Sequence, residues 1–238
     1  GRLSYQLYNG HGRVMNKQAE AVHLNSKDLN EVSITTVIIS NSDDGINGAY
    51  RKQPGYFESI RIKNAVKTNG QEKYFESIQN KLPEAMQIKD SYIDSLDKRE
   101  DPLVVKFNFQ LNGGSSDLLY FNPLIMDEFK ENPFKAADRK YPVEMPYSEN
   151  AHFILSFEVP NGYEVDEIPK TLVLKLNENN DIVYEYRISQ SGGIISLRSK
   201  LSINRTVFLP EEYELLREFF NIVVNKQNEN IVLKKSTP

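Results

Sequence analysis

Apolar and polar residues alternate most clearly at Leu103, Val105, Phe107, Phe109 and Leu111, with Lys106, Asn108 and Gln110 between them. A period of two places one set of side chains on one face of an extended chain, so a half-buried strand is expected over 103–111. The same alternation returns at Phe153, Leu155, Phe157 and Val159, then at Leu172, Leu174 and Leu176. It continues at Ile182, Tyr184, Tyr186 and Ile188, and at Ile195, Leu197, Leu201 and Ile203. Pro160-Asn161-Gly162, the polar stretch from Asn177 to Asp181, and Ser191-Gly192-Gly193 separate these runs. Such residues fix turns or tolerate positive φ, which predicts antiparallel strands in meander or Greek-key order.

The period changes after Pro210. Pro210-Glu211-Glu212 combines a proline suited to a first helical turn with acids at the positive end of the helix dipole. Tyr213, Leu216, Phe220 and Val223 then fall at helical spacing, Leu215, Phe219 and Ile222 widen the stripe, and Glu214, Arg217, Glu218 and Asn221 occupy much of the other face. A long amphipathic helix ending near Asn228 is expected to pack on a sheet, with a short strand at 231–233 after it. Earlier in the chain, strands at 32–40 and 45–51 flank the hairpin signal Asp43-Asp44-Gly45. Two helical segments carry the pentamer YFESI, at Tyr56–Ile60 and Tyr74–Ile78, and Asn69-Gly70 interrupts them. Further strands are expected at 86–93 and 117–122.

These elements predict a mainly β fold with peripheral helices (α+β), in antiparallel β-sandwich-like layers with the long amphipathic helix near the C-terminus. The expected organisation is a mixed β/α linking region with two helices over 1–131 and a terminal β-sandwich-like domain over 132–238. The boundary segment reads NPFKAADRKYPVEMPY. Its prolines bias Asn132, Tyr141 and Met145 toward extended conformations, as in a stiff connector. Arg139 and Lys140 are expected to pair with nearby acids.

Composition adds limits on function. With 238 residues, 39% hydrophobic and 26% charged, the chain is of ordinary globular type. The net charge of -4 comes from 29 basic and 33 acidic residues spread along the sequence, which disfavours nucleic acid as a partner. No apolar run approaches the roughly 18 residues of a membrane span. The chain opens on Gly1 with no charged-then-apolar leader, and is expected to be a mature or excised fragment. It has no cysteine, which removes thiol nucleophiles and thiolate metal sites from its own chemistry.

The three histidines are His11, His23 and His152, and neither a GxSxG elbow nor an HExxH pair accompanies them. No catalytic residue, metal ligand set or cofactor is expected, and an autonomous hydrolase is disfavoured. In Asn41-Ser42-Asp43-Asp44-Gly45 the glycine arrives too early for a calcium loop, so a hairpin turn is preferred. Gly113-Gly114-Ser115-Ser116 and Ser191-Gly192-Gly193 join strands and do not open a helix, which disfavours phosphate binding. Asn132-Pro133-Phe134 and the acceptor-like Asn204-Arg205-Thr206 read as chance matches within packed sequence.

Several stretches carry a family resemblance: Arg139-Lys140-Tyr141-Pro142-Val143, Val159-Pro160-Asn161-Gly162-Tyr163-Glu164-Val165 with Ile168-Pro169, Leu201-Ser202-Ile203-Asn204-Arg205, Phe208-Leu209-Pro210-Glu211-Glu212-Tyr213, Lys226-Gln227-Asn228-Glu229 and Ile231-Val232-Leu233-Lys234-Lys235. Together they resemble the C-terminal domain of unknown function of bacterial transglutaminase-like proteins, well over about residues 118 to 238 and more loosely before. The resemblance implies an extracytoplasmic (periplasmic or envelope) location and an upstream catalytic core in the same polypeptide, supplying Cys, His and Asp that this chain lacks. The chain is then expected to be a non-catalytic accessory module. The alternative is a carbohydrate- or peptide-binding module using the loop aromatics Tyr141, Tyr147 and Tyr163, for which core or interdomain packing is the competing role.

Overall fold

The structure is a computed structural model describing residues 2–43, 45–98, 101–112, 116–126 and 129–236, with the Asp28 side chain left aside. Asp44 of the expected hairpin turn and Gly113-Gly114-Ser115 of the expected loop lie outside the described residues. The elements run β1 (Gly10–Arg13), β2 (Ala21–Leu24), β3 (Asn30–Ser42), β4 (Gly45–Gln53), α1 (Tyr56–Asn69), α2 (Gln71–Gln79), β5 (Met86–Asp94), β6 (Val104–Leu111), β7 (Leu118–Phe121) and β8 (Val143–Glu144). They continue with β9 (Ser148–Glu158), β10 (Tyr163–Glu167), β11 (Leu172–Lys175), β12 (Ile182–Ser191), β13 (Ile194–Ile203), β14 (Val207–Phe208), α3 (Tyr213–Gln227) and β15 (Ile231–Lys235). The fold is mainly β with helices at its periphery, and the long amphipathic helix is α3.

Local chemistry explains most boundaries. Gly192 and Gly193, with φ of 56° and 79°, form the two-residue turn that joins β12 to β13. Gly70 has φ 87°, donates its N–H to the Val66 carbonyl at the end of α1, and separates α1 from α2. Before α3, Pro210–Glu212 makes one 3-10 turn, and Glu212 Oε2 accepts the Leu209 N–H at 2.8 Å.

One sheet of eight strands, in the order β11-β12-β13-β9-β3-β4-β6-β5, dominates the molecule. Its pairs are antiparallel except at the centre, where β3 and β9 run parallel over Asn30↔Ser148 to Ile39↔Phe157. The sheet is therefore continuous across residues 131 and 132. Register aligns residues into rows across the strands. Ile188, Leu197, Leu155, Val37, Tyr50 and Phe107 form one row, and Tyr186, Ser199, Phe153, Thr35, Lys52 and Val105 form the next on the same face. This inner face carries the core. Leu155, Val37, Phe107 and Tyr186 are all at most 2% exposed.

The helices and a smaller sheet cover the inner face. α1 buries Phe57, Ile62 and Val66, and α2 buries Phe75 and Ile78. Gln79 ties α2 to the edge of β5, donating to the Met86 carbonyl and accepting the Ile88 N–H. α3 buries Tyr213, Leu216, Phe219, Phe220 and Val223, each worth about 1.5–3 kcal/mol if fully removed from water. The three-stranded sheet β10-β15-β7 joins them through Phe121, whose ring lies 4.8 Å from that of Phe157. No helix among the described residues is long and apolar enough to cross a membrane.

The segment expected to be a stiff connector is strapped along α3. Asn132 Nδ2 donates to the Arg217 carbonyl, Phe134 packs against Phe220 at 5.1 Å, and the Tyr213 hydroxyl donates to the Ala136 carbonyl. Arg139 stands over the Tyr213 ring at 5.8 Å, and neither it nor Lys140 makes an ion pair with an acid among the described residues. Val143–Glu144 then pairs with Val207–Phe208, which ends the strap.

Candidate functional site

Toward the start of β3 the inner face turns polar. The rows there contain Glu31 beside Glu149, then Ser33 beside Ala151, then Thr35 flanked by Phe153 and Lys52. The N-terminal turn of α1 lies over this end and leaves clefts on either side. One, of about 910 Å³, is bordered by Arg2, Glu31, Tyr56, Lys63 and Asp101. A second, of about 500 Å³, lies among Tyr50, Lys52, Glu58, Tyr74, Lys81 and Lys130. A third, of about 210 Å³, is bordered by Lys52, Glu58, Arg61, Glu149, Ser199 and Gln227. The Lys52–Glu58 ion pair, 3.0 Å long, is the wall common to the last two.

Glu31 is the most buried carboxylate described, at 5% exposure. Its Oε1 accepts Arg2 Nη1 at 2.8 Å and its Oε2 accepts the Phe57 N–H at 2.9 Å, so it serves as the anionic cap of α1 from a neighbouring strand. Burial pushes its pKa up, opposed by the Phe57 N–H and by Arg2. Gly55 makes the contact possible: a Cβ there would stand 2.3 Å from Glu31 Oε2. With both oxygens engaged, Glu31 is placed to hold α1 on the sheet.

Beside it, Tyr147 is half-buried, stacked on Phe57 at 5.5 Å and edge-on to Tyr5 at 6.0 Å. Burial raises its pKa, with Glu149 adding to the effect. Tyr163 opens β10 and donates its hydroxyl to the Ser116 carbonyl at 2.8 Å. Tyr141 is 79% exposed in the loop before β8. Tyr147 and Tyr163 lie beyond opposite ends of β9, roughly 35 Å apart at about 3.3 Å per residue. The three tyrosines do not converge on one surface.

His152 pairs with Ile34 and Lys200 and is out of phase with Phe153, so its ring lies on the outer face of the sheet. Desolvation lowers its pKa, and Lys200 and Arg198 lower it further. His11 and His23 face each other across β1 and β2 with rings 4.9 Å apart. Among the described residues no group of three or more potential metal ligands converges.

Sequence periodicity locates the buried rows but misses the Glu31–Gly55–Phe57 cluster, whose members meet only when α1 folds back onto β3. A glycine directly before a helical pattern is the one local sign of it.

A family model covers much of the second half. Residues 117–233 match DUF3858, a domain of unknown function with a solved structure. The DUF3858 segment begins just before β7 and ends within β15, so it takes in both strands that the sheet pairs with each other and the strap along α3. A solved structure from Parabacteroides distasonis ATCC 8503, described as a "putative protease", aligns with 91% of this chain at a TM-score of 0.43 and 10% identity. This chain spans 29% of the length of that protein. No curated protein matches the chain.

Proposed function

We propose that this chain is a non-catalytic accessory module of a larger envelope protein, supporting or positioning a transglutaminase- or peptidase-like core. The observation that carries the proposal is how the charges bordering these clefts are used. Glu31 has each oxygen engaged, one by Arg2 and one by the Phe57 N–H, and Lys52 is tied to Glu58, so these groups lock the helical layer to the sheet. The kind of core is taken from the sequence resemblance to the terminal domain of transglutaminase-like proteins; the DUF3858 match is to a domain of unknown function. A thiol acyl-transfer step would use a cysteine from that core, since this chain has none.

The test is co-purification of the chain with its separately expressed core, together with a thermal unfolding measurement on the mixture. Association, or a rise in the unfolding temperature of the core, is expected. Absence of both removes the proposal. A second reading, a carbohydrate- or peptide-binding module, draws on the 79% exposure of Tyr141 beside Pro142. Glycan-array and peptide screening without a hit would eliminate it.

A further inference from the structure

Among the described residues, the outer face of the eight-stranded sheet leaves its aliphatic side chains open: Ile38 is 51% exposed, Val32 43%, Ile194 43% and Ile154 42%. The register strings Arg187, Arg198, Ile154, Thr36, Arg51, Lys106 and Tyr92 into one row across seven strands. Two of the cross-strand pairs in that row, Arg187↔Arg198 and Arg51↔Lys106, set like charges directly opposite each other, an arrangement that costs a sheet stability. Glu185 neutralises Arg187 at 2.9 Å, and Asp94 neutralises Lys106 at 2.6 Å. Arg51 and Arg198 make no ion pair among the described residues; Lys200, in the neighbouring row, makes none either but faces Glu185 across the β12–β13 pair. Glu158 also lies on this face and accepts the Asn41 N–H at 3.0 Å. In a chain of net charge -4, Arg51 and Arg198 therefore stand beside this apolar centre with neither an ion pair nor an acid opposite them among the described residues.

We infer that this outer face is a binding surface for an acidic polypeptide whose carboxylates meet Arg51, Arg198 and Lys200 while apolar side chains cover Ile38 and Ile154. This goes beyond the accessory role and does not depend on which core is present. A second copy of the chain is a poor occupant, because two such faces in contact would repel. A nucleic acid or sulfated glycan would satisfy the cations but leave the isoleucines wet. Seven strands at about 4.8 Å spacing and five alternate residues along each give on the order of 800 Å², the contribution of one partner to a standard interface.

The test uses the intact chain and two probes, a poly(Glu,Tyr) copolymer and dextran sulfate, titrated calorimetrically at low salt. The copolymer is expected to bind, more tightly than dextran sulfate, and to weaken at least tenfold in the double variant Arg51→Gln/Arg198→Gln. A control, Lys135→Gln, removes an exposed cation on the α3 side and should bind as the wild type does. The double variant relieves both like-charge pairs and should be at least as resistant to urea as the wild type, so a binding loss would not reflect misfolding. No copolymer binding, undiminished binding by the double variant, or equal or tighter binding of dextran sulfate would each overturn the inference.

Discussion

Buried hydroxyls show what individual residues cost this fold. Tyr184 and Tyr186 are both fully buried beneath α3 on β12. The Tyr184 hydroxyl accepts from Ser199 Oγ at 3.4 Å, and burial pushes its pKa up to about 12. The Tyr186 hydroxyl has no hydrogen-bond partner among the described residues, and burial drives its pKa higher still. The Lys226 ammonium, 5.7 Å from the ring centre, touches the π face rather than the hydroxyl. An unpaired buried hydroxyl costs roughly 1–3 kcal/mol of desolvation. Tyr186→Phe should consequently be neutral to stabilising, by up to about 2 kcal/mol, because it removes the polar atom and keeps the ring. Urea unfolding of both phenylalanine variants checks this, and a Tyr186→Phe loss larger than that of Tyr184→Phe would contradict it.

At the scale of elements, strands and helices were legible wherever one face is buried over several residues. The alternation through 103–111 became β6, that through 195–203 became β13, and the stripe after Pro210 became α3. Elements too short to show a period were not: β8 and β14 have two residues each, and β10 follows directly on the Pro160–Gly162 turn. The parallel β3·β9 pair was invisible for another reason, since a local period says which face is buried and nothing about which distant strand lies alongside. The same limit hid the attachment of α1, where Glu31 on β3 caps a helix that begins 25 positions later. That attachment has a pH signature. Because burial raises the Glu31 pKa above 4.5, the folded protein holds this proton more tightly than the unfolded chain does. The contribution of the group is complete below the unfolded pKa and is lost as pH rises through the raised folded value. Glu31→Gln removes this slope, so its stability relative to the wild type should increase as pH is raised from about 4 to 7. A difference in urea midpoint that stays flat or shrinks over that range would show that Arg2 and the Phe57 N–H outweigh burial.

For the whole molecule, the two-part organisation expected from sequence and the single sheet make opposite predictions about a fragment. If residues 132–238 were self-sufficient, they would fold alone. The structure places three dependencies outside them. β9 pairs along ten residues with β3, β15 pairs with β7 at 118–121, and the apolar stripe of α3 is covered in part by Phe129. Removing the first 131 residues would turn β9 from a central strand into an open edge, with unpaired N–H and C=O groups along its length, and would take the Phe129 ring off Phe220. A fragment beginning at 117 regains β7 and Phe129 but still exposes the β9 edge. The intact chain should unfold in one transition, coincident by far-ultraviolet dichroism and by tyrosine near-ultraviolet dichroism. The 132–238 fragment should lack a cooperative transition or aggregate, and the 117–238 fragment should be soluble yet less stable than the intact chain. A sharp, reversible transition in the 132–238 fragment would show instead that the parallel β3·β9 pair joins two independent units, and that the sheet is continuous without being cooperative.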